Sequence, residues 1–135
     1  MIVISDTSVI TSLLNIDYIH ILKHLYKEVY IPTAVKEELL KEHILLPDFI
    51  NVLNVKDKEY VEKLLNELDR GESEAIVLAK EIKADLLIID EKIGGNIAER
   101  EGIRVIGILG ILVICKKCGI ITSIKDVIQK LEKIA

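Results

Sequence analysis

The sequence predicts an α/β fold, a three-layer α/β/α sandwich around a central, mainly parallel sheet. Short apolar runs rich in β-branched residues alternate along the chain with longer segments whose apolar residues recur at helical spacing. This alternation is typical of parallel sheets, because two parallel strands need a crossover between them, which is usually a helix. The chain has 135 residues, the length of one domain, so residues 1–135 are expected to fold as a single unit.

The chain begins with a predicted strand and two predicted helices. Ile2–Ser5 is a short β-branched run, which favours a strand. Ser8–Asn15 has apolar residues at helical spacing, and either Thr7 or Ser8 can cap that helix. Ile19–Tyr26 carries a second apolar helical face.

A second strand and helix follow, and after them comes the least clear part of the chain. Val29–Ile31 favours a strand, and Pro32 marks the start of a helix over Ala34–Lys41. Pro47 interrupts the segment Leu45–Asn54, so only an edge strand is expected within it. The residues expected in that edge strand are Ile50, Val52 and Leu53.

The middle of the chain predicts two helices, a buried strand and a third helix. Lys56–Leu68 and Glu72–Ile82 have helical patterns, and the segment 69–71 forms the turn between them. Leu86–Ile89 is apolar at every position, as expected for a strand covered on both faces. Asn96–Glu101 is predicted to be helical.

The last third predicts a short strand and two helices, and no membrane segment. The strand is Val105–Ile106, and the helices are Ile108–Lys117 and Ile124–Ile134. The longest apolar stretch, Val105–Cys115, is interrupted by glycines and falls short of the ~18 residues that a membrane span needs. No basic segment characteristic of a signal peptide is seen at the start, so a cytoplasmic protein is expected.

Acidic residues follow two of the predicted strands and lie near the start of two predicted helices. Asp6 comes directly after the first strand, and Asp90 comes after the run Leu86–Ile89. Because the carboxyl ends of parallel strands share one edge of a sheet, both are expected at that edge. Glu38 and Glu74 can project toward the same place from their helices. Carboxylates brought together repel one another, so such a cluster raises its own pKa values or binds a cation.

Each of these acids also has a purely structural interpretation. Asp6 can cap the helix that follows it, and Glu38 can be one of several solvated acids on its helix. Glu72 and Glu74 can be ordinary first-turn acids, because helix N–H groups favour negative charge there. Glu42 shares the face of Glu38 but lies one turn farther from the strand end, so it is the weaker candidate. The combination with strand ends favours a common site.

Five segments resemble the PIN-domain nucleases, a family that includes the ribonuclease toxins of prokaryotic VapC-type toxin-antitoxin pairs. In chain order they are ISDTSVI, IPTAVKEEL, GESEAIVLA, LLIIDEKIGGNIAE and IRVIGILGILVICKKCGII. The last of them resembles a small prokaryotic branch whose members mostly lack assigned substrates. Each segment is short, and their shared order and spacing make the resemblance specific.

The resemblance implies an acidic quartet that binds Mg²⁺ or Mn²⁺ and carries the catalysis. Matched motif by motif, the quartet is Asp6, Glu38, Glu74 and Asp90. The hydroxyl of Ser8 is expected to support Asp6. The third position is commonly Asp in the family and is Glu74 here, and Glu72 and Glu91 are the neighbours that can take its place.

The implied activity is metal-dependent hydrolysis of phosphodiester bonds in single-stranded RNA. The resemblance also implies a homodimer and, if the chain is a toxin, an antitoxin protein as partner. The alternative is a catalytically weak or inactive PIN-like module that binds RNA or a protein partner. Two other classes fit poorly. A phosphoaspartate phosphatase needs a second Asp where Ser8 stands, and a dinucleotide-binding domain needs a glycine-rich turn after the first strand.

The charge balance gives no general attraction for nucleic acid, because the net charge is -4. Binding of RNA therefore requires a local basic rim, and Lys92 and Arg100 are the candidates for it, although such residues are more often part of a solvated face. The chain has one Phe, four Tyr and no Trp, so stacking platforms for bases are scarce. Recognition of shape and backbone is expected.

Two further pairs of residues resemble metal motifs without completing them. Cys115 and Cys118 form one CxxC, and half a site cannot close a tetrahedral zinc shell, so buried thiols are expected. His20 and His24 are four residues apart, but the glutamate of HExxH is missing because Ile21 stands there. Both histidines are expected to be exposed. The apolar residues Ile10, Leu13, Leu14 and Ile19 are expected in the core, with a dimer interface as the alternative.

Overall fold

A computed structural model describes residues 1–134 and contains a five-stranded sheet in which all neighbouring strands are parallel. The predicted α/β fold with a parallel sheet is therefore confirmed. The strand order is β3-β2-β1-β4-β5. The strands are β1 (Val3–Ser5), β2 (Val29–Pro32), β3 (Ile50–Leu53), β4 (Leu86–Ile88) and β5 (Val105–Ile106).

Eight helices among the described residues connect and cover these strands. They are α1 (Thr7–Asn15), α2 (His20–Tyr26), α3 (Thr33–Lys41), α4 (Lys58–Leu64), α5 (Arg70–Glu81), α6 (Lys92–Arg100), α7 (Ile108–Lys117) and α8 (Ile124–Ile134). No helix within residues 1–134 is long and apolar enough to cross a membrane.

The sheet separates two hydrophobic cores, which makes the fold three-layered. Val3 belongs to the core shared with α1, α2, α7 and α8, whereas the next residue, Ile4, belongs to the core shared with α4, α5 and α6. Successive strand residues point to opposite faces, so each strand contributes to both cores. Of the four apolar residues expected in the core, Ile10 and Leu13 are fully buried in the first core, and Leu14 and Ile19 are partly buried against it.

The direction of the chain across the sheet reverses at β1. From β1 the chain moves outward to β2 and β3, then returns to the other side of β1 for β4 and β5. In open α/β sheets, a crevice forms outside the carboxyl ends of the strands where the order reverses in this way. The pairing of Ser5 with Ile88 places the two carboxyl ends side by side, and the N–H of Asp6 donates to the carbonyl of Ile88 at 3.0 Å.

Several helix boundaries differ from the prediction by one to four residues, and local capping explains two of the larger differences. α5 begins at Arg70 rather than Glu72, because Asp69 caps it in a capping box with Glu72. α6 begins at Lys92 rather than Asn96, because the Glu91 carboxylate accepts the N–H groups of Ile93 and Gly94 and so supports a helix through two glycines. α4 ends at Leu64, four residues early.

Glu81, the last residue of α5, holds the start of α4. The Glu81 carboxylate accepts the N–H of Lys56 at 2.9 Å and that of Asp57 at 2.6 Å.

We expect Glu81→Ala to lower the free energy of unfolding by about 1–2 kcal/mol, because charge-assisted hydrogen bonds are lost. Urea unfolding measures this. Glu99→Ala, which changes an exposed glutamate of α6, is the control and should stay within about 0.5 kcal/mol of wild type; equal effects would contradict the prediction.

Candidate functional site

A cavity of about 350 Å³ opens beyond the carboxyl end of β1, between α1, α3 and the start of α5. Every residue that lines it carries a carboxylate or a hydroxyl, and neither a basic nor an aromatic side chain lines it among the described residues. The acids are Asp6, Glu38, Glu42, Asp69 and Glu72. The hydroxyls are those of Thr7, Ser8, Thr11 and Ser12. We refer to this space as the acidic cavity.

Asp6 lies at the inner end of the acidic cavity and is 2% exposed. It caps α1, because its carboxylate accepts the N–H of Val9 at 3.3 Å, and it also accepts the hydroxyl of Ser8 at 3.2 Å. Burial raises the pKa of Asp6 to about 6, against the opposing effect of these two hydrogen bonds, and the nearby charge of Asp90 raises it further. Asp6 is therefore both a helix cap and a carboxyl that is costly to ionise.

Glu38 reaches the acidic cavity from α3, and two neighbours fix its position. The hydroxyl of Thr7 donates to its carboxylate at 2.5 Å, which joins the first turn of α1 to α3. Gly71 leaves room for the same carboxylate, because a Cβ at that position would lie 2.5 Å from Glu38 Oε1. Any larger residue at position 71 would displace Glu38.

Asp90 follows β4 and occupies a similar space beside a glycine. Its carboxylate accepts the N–H of Ile108 at 2.9 Å, at the start of α7. A Cβ on Gly107 would overlap this carboxylate. Asp90 does not line the acidic cavity, but its charge is close enough to raise the pKa of Asp6. The two strand-end aspartates thus interact across the β1–β4 pair.

Glu72, rather than Glu74, points into the acidic cavity from α5. The N–H of Asp69 donates to Glu72 at 3.2 Å. Burial raises the pKa of Glu72 to about 7, and the charges of Asp69, Glu91 and Asp6 add to this effect. Glu72 is predicted from the sequence only as a substitute, although its capping-box spacing from Asp69 sets its orientation.

Glu74 lies outside the acidic cavity and is 8% exposed. Its carboxylate accepts the N–H of Ala34 at 3.0 Å, at the start of α3, and Arg70 lies 3.9 Å from its other oxygen. Residues two apart on a helix do not share a face, so Glu74 and Glu72 point in different directions. The structure therefore does not bring Glu74 into the space that Asp6 and Glu38 line, and Asp90 also lies outside it.

The donor set of the acidic cavity fits a hard divalent cation. Carboxylate oxygens are the ligands that Mg²⁺ and Mn²⁺ prefer. Burial makes ionisation of Asp6 and Glu72 unfavourable, and a bound cation removes that penalty. Within residues 1–134, no three His, Cys, Asp or Glu side chains already stand in metal-binding geometry. A cation would therefore draw the carboxylates together from their present positions.

The two residues predicted to bind nucleic acid, Lys92 and Arg100, lie at opposite ends of α6. Lys92 is in its first turn, two residues after Asp90, whereas Arg100 is at its end, about 12 Å away along the helix. Arg100 lines a separate cavity with Tyr60 and Glu101. Both side chains are exposed, and they do not form one basic patch.

The cysteine and histidine predictions have different outcomes. Cys115 is buried, and burial raises the pKa of its thiol to about 11. Cys118 is exposed at the end of α7, so the expectation of buried thiols is wrong for Cys118, because it follows the last helical turn. His20 and His24 are exposed, as expected, with ring centroids 6.1 Å apart.

Two comparisons with known proteins agree with the fold. The sequence model of the family DUF3368, described as a PIN domain, matches residues 2–134. A solved structure described as a PilT N-terminus domain protein, SSO1118, from the hyperthermophilic archaeon Sulfolobus solfataricus P2 is 25% identical, with a TM-score of 0.65. That match covers 84% of this chain and 92% of the other. No curated protein shows significant similarity.

The raised pKa of Asp6 predicts a pH-dependent stability. A carboxyl whose pKa rises from 3.8 to about 6 on folding favours the folded state at low pH, and this stabilisation is lost as the pH rises through 6. Asn also caps helices, so Asp6→Asn removes the ionisation and keeps the cap. The quantity to compare is the decrease in the free energy of unfolding from pH 4 to pH 8 without divalent cations. We expect this decrease to be about 2–3 kcal/mol smaller in Asp6→Asn than in wild type.

Denaturant unfolding at a series of pH values measures this difference. Millimolar Mg²⁺ should restore wild-type stability at pH 8, because it replaces the lost protons, and should have no such effect on Asp6→Asn. Identical pH profiles for the two proteins would contradict the assignment of the burial penalty to Asp6.

Proposed function

The chain belongs to the PIN-domain family, and on that premise we propose that it is a metal-dependent endoribonuclease that hydrolyses phosphodiester bonds of single-stranded RNA. The observation that supports this most directly is the acidic cavity. Asp6, Glu38 and Glu72 line it, Asp90 interacts electrostatically with Asp6, and no basic side chain among the described residues lines it. Such a cavity repels RNA unless cations bind first.

We assign Asp6, Glu38 and Asp90 as the residues that hold Mg²⁺ or Mn²⁺. The bound ion would neutralise phosphate charge and lower the pKa of a water molecule. Each carboxylate has a hydrogen-bond donor that orients it: Ser8 donates to Asp6, Thr7 donates to Glu38, and the N–H of Ile108 donates to Asp90. These contacts are the reason for placing Ser8 and Thr7 in the site as positioning residues.

Glu72 is suited to accept the proton of the attacking water. It lines the acidic cavity with Asp6, and in the protein without a bound cation burial raises its pKa to about 7, so its carboxylate holds a proton more readily than an ordinary glutamate. Water attacks phosphorus and loses a proton to Glu72, and the bond from phosphorus to the 3′ oxygen breaks. The products are a 5′-phosphate and a 3′-hydroxyl that takes its proton from solvent. Glu74 contributes from outside the cavity by holding the start of α3, and therefore Glu38, in place.

The proposal includes two protein partners, an antitoxin and a second copy of this chain. As a toxin, the chain would pair with an antitoxin that blocks the acidic cavity, and it would act in the cytoplasm as a homodimer. Leu109 and Val113 lie one turn apart on α7 and are exposed, which makes this helix a surface for such contacts. Lys92, beside Asp90, is the basic residue placed to meet the RNA backbone.

The second candidate is a PIN-like module that binds RNA or a protein without cleaving. The observation that favours it is that no metal-binding group of three side chains is preformed within residues 1–134. A catalytically silent module would still present the same acidic surface. The two functions differ in whether a divalent cation gives turnover.

The first test of the nuclease proposal removes one carboxylate at a time. We expect Asp6→Asn and Asp90→Asn each to lower Mn²⁺-dependent or Mg²⁺-dependent cleavage of a mixed single-stranded RNA pool by at least about 100-fold, because metal affinity falls when a ligand is lost. Circular dichroism should show an intact fold. Asp126→Asn, on the exposed face of α8, is the control and should cleave like wild type. A wild-type protein inactive with both metals would favour the binding module.

The second test separates the two glutamates of α5. Glu72→Gln should reduce cleavage by about 100-fold, because the amide cannot accept the proton of water. Glu74→Gln keeps a carbonyl oxygen for the N–H of Ala34, so its activity should stay within about threefold of wild type. Steady-state rates on one RNA oligonucleotide compare the two variants. If Glu74→Gln lost the activity and Glu72→Gln kept it, Glu74 would belong to the site. Glu72 would then be a first-turn glutamate that only stabilises the helix.

A further inference from the structure

The surface of α2 lies at the opposite end of α1 from the acidic cavity. Asp6 caps the start of α1, whereas Tyr18 and the first residue of α2, His20, follow its end. α1 has nine residues, so its two ends lie about 13 Å apart. The surface of α2 shares no lining residue with the acidic cavity.

A second cavity, of about 480 Å³, opens on α2 and is lined by His20, Lys23, His24 and Lys27. All four residues are exposed. None of the described residues that line it is acidic, so its charge is opposite to that of the acidic cavity. Lys23 lies 3.9 Å from Asp48, and exposed pairs of this kind are weak in water. We refer to the four lining residues as the α2 basic surface.

Three rings follow one another along this side of the protein. The centroid of the Tyr18 ring lies 5.8 Å from that of His20, and the centroid of His20 lies 6.1 Å from that of His24. The ammonium of Lys130 lies 5.4 Å from the centre of the Tyr18 ring, at the end of the series. Rings on which bases stack, set among cations that pair with phosphates, are typical of surfaces that bind single-stranded nucleic acid.

Lys27 has a backbone conformation that favours glycine. Its φ is 65° and its ψ is -49°, and the N–H of Glu28 donates to the carbonyl of Tyr26 at 2.7 Å across it. This is a γ-turn of the strained kind, which residues with a side chain rarely adopt. Strained residues of this sort cluster at functional sites, so the strain indicates a use for the lysine side chain at this position.

Other ligands fit the α2 basic surface less well. Two histidines four residues apart can bind a metal ion, but Lys23 and Lys27 line the same cavity and would repel a cation. A lipid surface needs exposed apolar side chains, and among the described residues the large ones that are exposed lie outside α2. A negatively charged chain that carries its own rings matches both the lysines and the histidines.

We infer that the α2 basic surface binds single-stranded RNA, with backbone phosphates paired to Lys23 and Lys27 and bases stacked against His20 and His24. The inference rests on the proposed function for the choice of RNA, but it requires neither catalysis nor a divalent cation. It also supplies what the acidic cavity lacks, because that cavity repels RNA until cations bind. RNA is therefore held near one end of α1 and cleaved at the other.

The experiment measures the Kd of a labelled single-stranded RNA of about 15 nucleotides by fluorescence anisotropy in EDTA. Lys23→Gln combined with Lys27→Gln should raise the Kd by at least about 10-fold. The slope of log Kd against log salt concentration should fall by about 1.4, because two phosphate contacts are lost. His20→Ala and His24→Ala should each raise the Kd by about 10-fold, because each removes a ring on which a base stacks.

The matched control is Lys58→Gln combined with Lys63→Gln. Both lysines are exposed on α4, which packs against the opposite face of the sheet, and their removal changes the net charge equally. This control should bind RNA as wild type does. An equal loss of binding in the two double variants would mean that net charge alone attracts RNA, which would overturn the inference.

Lys27→Gly separates RNA binding from folding. Glycine adopts a positive φ without strain, so the midpoint of urea unfolding should rise. The Kd for RNA should nevertheless increase by about threefold or more, because one phosphate contact is lost. If the Kd stays at the wild-type value, Lys27 contacts no phosphate and the inference is wrong.

Polyglutamate of the same charge as the RNA tests whether bases contribute. It should bind at least about 10-fold more weakly than RNA, because it has no rings to stack on the histidines. Equal binding would mean that the α2 basic surface takes any acidic chain, an acidic protein included, and would overturn the choice of RNA.

Hydrolysis of bis(p-nitrophenyl) phosphate separates this inference from the nuclease proposal. This diester is too short to reach α2 from the acidic cavity, so the double variant of Lys23 and Lys27 should hydrolyse it like wild type and should cleave the RNA more slowly. If wild type hydrolyses the diester but all α2 variants bind RNA normally, the α2 basic surface is wrong and the nuclease proposal stands. If these residues bind RNA and no diester is cleaved, the α2 basic surface stands and the nuclease proposal is wrong.

Discussion

Burial of Asp6 and Glu72 in a cavity without a basic partner is the constraint on which the site depends. The reversal of strand order at β1 brings Asp6 and Asp90 to adjacent strand ends, and the helices that follow add Glu38 and Glu72. No basic side chain lines the cavity among the described residues to neutralise them. Hydrogen bonds from N–H groups and hydroxyls hold the carboxylates in place and only partly offset their burial. The carboxylates therefore need either protons or a bound cation to neutralise them. For this reason, the protonation of the site, the stability of the protein and the proposed catalysis are linked.

The fold follows from sequence because its signals are local and strong. The apolar run at 86–89 predicted a strand covered on both faces, and Leu87, Ile88 and Ile89 are buried. Strand ends then placed Asp6 and Asp90 on one edge without any knowledge of packing. Helix starts were less predictable. The start of α6 depends on hydrogen bonds from two main-chain N–H groups to Glu91, and propensity arguments about two glycines do not include that contribution.

The direction of side chains on α5 shows where sequence reasoning stops. Glu72 and Glu74 have the same side chain and lie in the same helical turn, so only rotation about the helix axis separates a cavity residue from a cap for α3. That rotation is set by contacts of α5 with α3 and with the sheet, which involve residues far apart in sequence. The hydroxyl of Thr11 on α1 is also unpredictable from the sequence. It is buried without a hydrogen-bond partner among residues 1–134, and a threonine within an amphipathic helix gives no sign of this.

Gly71 and Gly107 each stand where a methyl group would collide with an acidic side chain, Glu38 in one case and Asp90 in the other. A side chain at either position would therefore force the neighbouring carboxylate to move, although every ionisable residue is retained. Glycine at these two positions is thus part of what keeps Glu38 and Asp90 in their present places.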